Sequence, residues 1–188
     1  MRILSAIKFI KSALFIYICL FSQAHGFDTK AKAAYVIDQT SGTILLSKNS
    51  DLPLPPASMS KLMTLYMTFE FIKAGRLGLN EKLPVSKSAA NYNGSTMFLN
   101  PTDRVAVVDL LRGIIVLSGN DACAVIAEAL SPDGTEAGFA KIMTERGKQL
   151  GLKNSTFKNS NGWPADGHQM SVRDLGILAG RLISDFPE

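Results

Sequence analysis

The segment PPASMSKLMTLYMTFEFIKAG, residues 55–75, decides how this chain is read. Its prolines close a polar stretch running from Lys48 to Pro56, which reads as loop. A helix is predicted from about Ser58 to Ala74, with Gly75 placed to end it at C′. Leu62, Leu65, Phe69 and Ile72 mark one face, and Met59, Met63, Tyr66 and Met67 make most of the others apolar too. A helix apolar nearly all round is a buried one. Ser58 and Lys61 stand three residues apart at its start, so their Cβ atoms lie about 5–6 Å apart on one face. A serine hydroxyl is a weak nucleophile and needs a neighbouring base. A lysine amine serves only when neutral, which burial favours. The helix N-terminus adds free N–H groups and a positive dipole end, suited to an oxyanion. The same spacing recurs at Ser5/Lys8 and Ser155/Lys158, but only Ser58/Lys61 opens an apolar helix. The competing reading is a capping serine beside a surface lysine.

Upstream, AAYVI (33–37) and TILLS (43–47) flank the turn residues 38–42 and read as a β-hairpin. Residues 1–26 read as a secretory signal peptide. Arg2, Lys8 and Lys11 form its positive end, Ala13 to Phe21 is unbroken apolar sequence, and Ala24-His25-Gly26 places small residues at −3 and −1 of a cut before Phe27. The apolar run is too short for a span, which takes about 20 residues, and Cys19 follows Ile18 rather than a small residue, against a lipoprotein. An exported bacterial protein is expected, in the periplasm or on the outer face of the cytoplasmic membrane. Cleavage would lower the net charge from +4 to +1, so basicity gives no reason to expect a nucleic-acid partner. It would also leave Cys123 as the one cysteine, in an apolar helical pattern that marks it as core. With 46% apolar residues in 188, the chain is neither disordered nor a disulfide-stapled miniprotein.

Downstream, the pattern blurs between Arg76 and Asp103. Val107–Leu117 then reads as a helix with Leu110, Leu111, Ile114 and Ile115 inward, and Asp121–Leu130 as another. Ser118-Gly119-Asn120 lies between them, a polar break that can push a hydroxyl and an amide into a cleft or can be an ordinary turn. Thr135 can cap a helix ending at Gly151, and Ser171 with Asp174 resembles the capping arrangement of a last helix. Residues 154–169 read as polar loop, with Trp163-Pro164 as a structural anchor. His168 is the one histidine after residue 26, and no G-x-S-x-G elbow accompanies it. We read it as a loop residue at the edge of the cleft. No metal-ligand or phosphate-binding motif is present, and no cofactor is expected. The fold class is α+β, helix-rich, and one hairpin alone is marginal, so its strands need partners that this chain scarcely supplies.

The segments PPASMSKLMT (55–64), GSTMFL (94–99), VDLLRGIIVLSGNDA (108–122) and FKNSNGWPADGHQMSVRDLGILA (157–179) together resemble the low-molecular-mass penicillin-binding D-alanyl-D-alanine carboxypeptidases, the peptidase S11 family. The resemblance implies the β-lactamase/DD-peptidase-like fold, an antiparallel sheet flanked by helices with a mainly helical subdomain. It implies Ser58 as nucleophile on the penultimate D-Ala carbonyl of a peptidoglycan stem peptide ending in D-Ala-D-Ala. Lys61 would be its base and Ser118 the relay of a proton to the leaving amine. Asn120 would orient the substrate amide and hold Lys61. β-Lactam antibiotics would acylate the same serine. The family's third motif, Lys-Thr-Gly, occurs nowhere in the sequence. Residues 27–188 are therefore expected to be the N-terminal part of a catalytic domain, with the sheet incomplete and the C-terminal domain and membrane anchor absent. Two alternatives stand beside this: an inactive wall-binding or regulatory fragment, and a class A-like serine β-lactamase. The second is opposed by Ser-Gly-Asn in place of Ser-Asp-Asn and by the lack of Glu-x-x-Leu-Asn downstream.

Overall fold

A computed structural model describes Phe27 and residues 29–187; the signal-peptide reading of residues 1–26 lies outside the described residues. Lys32–Glu188 form one compact unit. Its elements are β1 (Ala34–Ile37), β2 (Ile44–Lys48), a 3-10 turn (Ala57–Ser60), α1 (Lys61–Lys73), β3 (Lys82–Pro84), α2 (Lys87–Ala90), β4 (Arg104–Ala106), α3 (Val107–Leu117), α4 (Asn120–Leu130), α5 (Glu136–Gln149) and α6 (Val172–Asp185). This is the helix-rich α+β arrangement expected.

The centre is α4. Ala122, Cys123, Ala124 and Ala127 are small and fully buried, which lets α1, α2, α3 and α5 all pack against one helix. Cys123 is thus the core residue the sequence implied. From α1 come Met63, Tyr66 and Met67, from α3 Val107, Leu110 and Ile114, and from α5 Phe139 and Met143, all in one apolar cluster. The all-round apolar character of residues 61–68 is explained by this position, since Lys61 and residues 63 to 68 are all buried.

Helix ends follow the local chemistry. Thr135 accepts from Gly138 N and Ser171 from Asp174 N, both at the predicted caps. The hairpin also forms, with Tyr35 opposite Ser47. It packs on α6, where Gly176 and Gly180 leave room for Tyr35 and Gln39. Among the described residues the strands make two separate two-stranded sheets, β1–β2 and β3–β4. Val36, Ile44 and Leu45 of the hairpin remain exposed.

Four expectations need correction. The helix predicted from Ser58 begins as a 3-10 turn, because Ala57 takes a left-handed φ of 48° directly after two prolines. Only from Lys61 is it α-helical. The blurred region holds β3, α2 and β4, too short and too rich in Lys, Arg and Pro to show a period. Ile115 is 61% exposed: it sits about 100° round the helix from Ile114, outside a buried stripe made by Val107, Leu110, Leu111 and Ile114. Residues 154–169 are not free loop, since Thr156 pairs with Gln169, and Leu54 with Met170 just beyond it.

Candidate active site

Lys61 is 4% exposed, whereas Ser58 lies exposed on the preceding 3-10 turn. The lysine Nζ lies 3.0 Å from Ser58 Oγ and donates to the Asn161 carbonyl at 2.8 Å. The pair is therefore neither a cap nor a surface lysine. Ser58 is not the cap of α1; Ser60 Oγ instead donates back to Ala57 O at 3.0 Å. Burial pushes the Lys61 amine below the ordinary lysine value of 10.5, so its neutral form gains weight. With one N–H held by Asn161, a neutral amine can direct its lone pair at the Ser58 hydroxyl.

The partner of Lys61 comes from the 159–163 loop, 100 residues downstream. Asn159 Oδ1 accepts from Gly162 N at 2.8 Å, and Asn161 Oδ1 from Trp163 N at 2.8 Å, so each asparagine folds the backbone after it into a turn. Ser160 O accepts from Thr64 Oγ1 at 2.6 Å, tying the loop to α1. Gly162 has φ 87°, and a Cβ there would collide with Ala57 O. The loop backbone lies directly against the residue before Ser58 for that reason.

Ser118 ends α3 in the left-handed region at φ 57°, and Gly119 N reaches back to Gly113 O at 3.1 Å. Asn120, 7% exposed, donates from Nδ2 to Asn93 O at 2.8 Å, and its backbone N to Ser95 O at 2.8 Å. Ser95 Oγ in turn donates to Leu117 O. Asp121, 1% exposed, gathers Met97 N and Leu99 N at 3.0 and 3.2 Å. The 93–99 strap is thus stitched onto the Ser118–Asp121 turn. The two halves of the site meet at Gly94, where a Cβ would touch both Asn120 Nδ2 at 3.3 Å and the Trp163 ring at 3.5 Å. No hydrogen bond joins Ser118 or Asn120 to Ser58 or Lys61 among the described residues; the Asn120 amide serves the strap rather than Lys61.

His168 is buried at 5% exposure and lines a cavity of about 190 Å³ with Pro56, Ala57, Gly162 and Trp163. Its Nδ1 accepts from Lys158 N at 3.2 Å, so it braces the loop, and among the described residues no hydrogen bond joins it to Ser58. Trp163 is 42% exposed and stands edge-on to Tyr92 at 6.2 Å, an anchor with one open face. Ser155 spends its hydroxyl on Asp174 at 2.8 Å, which disposes of the third Ser-x-x-Lys as a reactive pair. Sequence reasoning missed the asparagine turns and the Asp121 clamp. Only the clustering of Asn and Gly at 159–162 hinted at the first. No group of three or more potential metal ligands occurs among the described residues.

The chain is 40% identical over 154 residues to the D-alanyl-D-alanine carboxypeptidase DacF of Bacillus subtilis, covering 82% of this chain and 39% of that protein. The crystal structure of the D-alanyl-D-alanine carboxypeptidase DacD from Francisella tularensis superposes with a TM-score of 0.84 at 34% identity, over 88% of this chain and 40% of that one. Penicillin-binding protein D2 from Listeria monocytogenes, in its ampicillin-bound form, superposes at 0.74 with 31% identity, over 84% of this chain and 63% of that one. The chain thus spans about 40% of the length of the curated relatives it matches, and its fold is part of the β-lactamase-like DD-peptidase fold. The D-alanyl-D-alanine carboxypeptidase family matches residues 21–188, and the chain belongs to that family, peptidase S11.

Proposed function

We propose that this chain carries the nucleophile, base and second motif of a serine D-alanyl-D-alanine carboxypeptidase. The observation that carries the reading is the buried Lys61 amine 3.0 Å from the exposed Ser58 hydroxyl. Ser58 Oγ attacks the carbonyl of the penultimate D-Ala of a peptidoglycan stem peptide while neutral Lys61 takes its proton. The tetrahedral intermediate collapses, the peptide C–N bond breaks, and Ser118 hands its proton to the departing D-Ala amine while taking up the one held by Lys61, which leaves Lys61 neutral again. Water then cleaves the Ser58 ester, with Lys61 again as base. Asn120 orients the substrate amide from the turn that its own bond to Asn93 O holds in place. β-Lactams acylate Ser58 by the same attack, and their adducts deacylate slowly. Residues 1–26 act as an export signal, and 27–188 form the N-terminal part of the catalytic domain, working on the outer side of the cytoplasmic membrane.

Intact-mass spectrometry after incubation with a fluorescent penicillin tests this. The expected result is one adduct, mapped to Ser58 and lost in Ser58→Ala, together with D-Ala release from a stem pentapeptide. An unmodified wild-type mass with a folded protein would refute activity of this chain by itself.

A further inference from the structure

One carboxylate outside the Ser58/Lys61 and Ser118/Asn120 motifs reaches into both walls of the site. Glu136, the first residue of α5, accepts from Ser160 N at 3.0 Å and Ser160 Oγ at 2.5 Å through Oε1. Its Oε2 accepts from Tyr92 Oη at 2.5 Å. Ser160 immediately precedes Asn161, whose carbonyl receives the Lys61 N–H. Tyr92 stands edge-on to Trp163 and precedes the Asn93 carbonyl that binds Asn120. The helix N-terminus favours an anion at this position. Thr135, not Glu136, caps α5, so the carboxylate is free for this work. On its other side Ser160 is tied through its carbonyl, which accepts from Thr64. Two anchors, one on each side of Ser160, therefore fix which way the next carbonyl points.

We propose that Glu136 is a positioning residue for Lys61, acting by clamping Ser160 so that the Asn161 carbonyl holds the amine against Ser58. The proposal rests on the reading of Lys61 as the base. The titratable groups that interact with Lys61 or Glu136 among the described residues are Cys123 and Glu128 from α4, Tyr92 from the segment after α2, and His168 from the segment before α6. Removing the clamp lets water reach the amine. Burial is the largest cause of the depressed Lys61 proton affinity, so rehydration raises it. Removing the charge alone does the opposite, because a lost carboxylate weakens a nearby ammonium. The direction of the change therefore separates positioning from simple electrostatics.

The test compares Glu136→Ala with Glu136→Gln in the whole chain, by titrating carbon-13 ε-labelled lysines by NMR. The Lys61 signal is assigned from its loss in Lys61→Met. The expected result is a Lys61 midpoint raised by about one unit, tenfold in proton affinity, in Glu136→Ala. Glu136→Gln, which still accepts from Ser160 and loses only the charge, leaves it at or below the wild-type midpoint. Where the wild type forms the Ser58 adduct, Glu136→Ala acylates about tenfold more slowly at pH 7.5 and recovers at higher pH. A wild-type Lys61 midpoint in Glu136→Ala overturns the proposal. So does an equal downward movement in both variants, which assigns the effect to charge. The titration needs no turnover, so a wild type that forms no adduct refutes the proposed activity of this chain and leaves the positioning test standing.

Discussion

The two halves of the site are built on opposite plans. In the Ser58/Lys61 half the reactive groups bond to each other, and the scaffold contributes one carbonyl, that of Asn161. In the Ser118/Asn120 half the scaffold does nearly all the bonding. Asp121 clamps the strap, Asn120 grips Asn93 O, and the Ser118 hydroxyl takes part in none of these bonds. The first half concentrates its cost in one buried amine. The second spreads it over a left-handed turn and a buried carboxylate. The proposed base must be poised against its serine, whereas the hydroxyl proposed to relay a proton needs only to be aimed and left free.

The sharpest way to break this contrast is Lys61→Met, which keeps the buried stem and removes the amine. Acylation of Ser58 should fall by at least about a thousandfold, read as adduct formed over time, with far-UV circular dichroism unchanged. Next is Gly162→Ala. A Cβ meets Ala57 O at a φ that disfavours it, so the turn carrying Ser58 must shift. We expect about 1–3 kcal/mol of lost stability and acylation slower by up to about a hundredfold, from a melting curve and the same adduct assay. Asp121→Asn attacks only the second half. It leaves one strap N–H without its charged acceptor, costing about 1–3 kcal/mol, or a Tm lower by about 2–4 °C per kcal/mol at this size. Acylation should fall less than in Gly162→Ala; an equal fall would show that the halves are not separable.

The smallest effects are in pH dependence. The folded Lys61 has a lowered pKa, so the unfolded chain binds more protons between that value and 10.5. Stability from this group therefore rises with pH through that window and is lowest below it. Tm measured from pH 7 to 10.5 should rise more in wild type than in Lys61→Met. His168 behaves alike at lower pH. Burial depresses its pKa below 6.5, and its Nδ1 must stay unprotonated to accept from Lys158 N. As pH falls from 6.5 toward the folded value, stability is lost. His168→Asn, which can keep an acceptor in place, should show a flatter Tm between pH 7.5 and 5.

Much of this was legible in residue order because it depends on neighbours in the chain. The caps at Thr135 and Ser171, the hairpin and the Val107–Leu117 helix are local. So is the Ser58/Lys61 pair, since one turn of helix brings them together whatever the rest does. The strands β3 and β4 were not legible: three residues each, bearing Lys82, Pro84 and Arg104, they exist only because they pair with each other. The outward turn of Ile115 was equally hidden, because a helix pattern gives a stripe but not its edge.

Sequence by itself determined which residues could do chemistry, and that two of them, Ser58 and Lys61, stand one turn apart where a buried helix begins. Tertiary structure decided what makes the amine useful. The Asn161 carbonyl, the Glu136 clamp on Ser160 and the Asp121 clamp on the strap join residues 24 to 100 positions apart. No periodicity or spacing records such contacts, because a hydrogen bond depends on where two backbones meet in space and not on how far apart they lie along the chain.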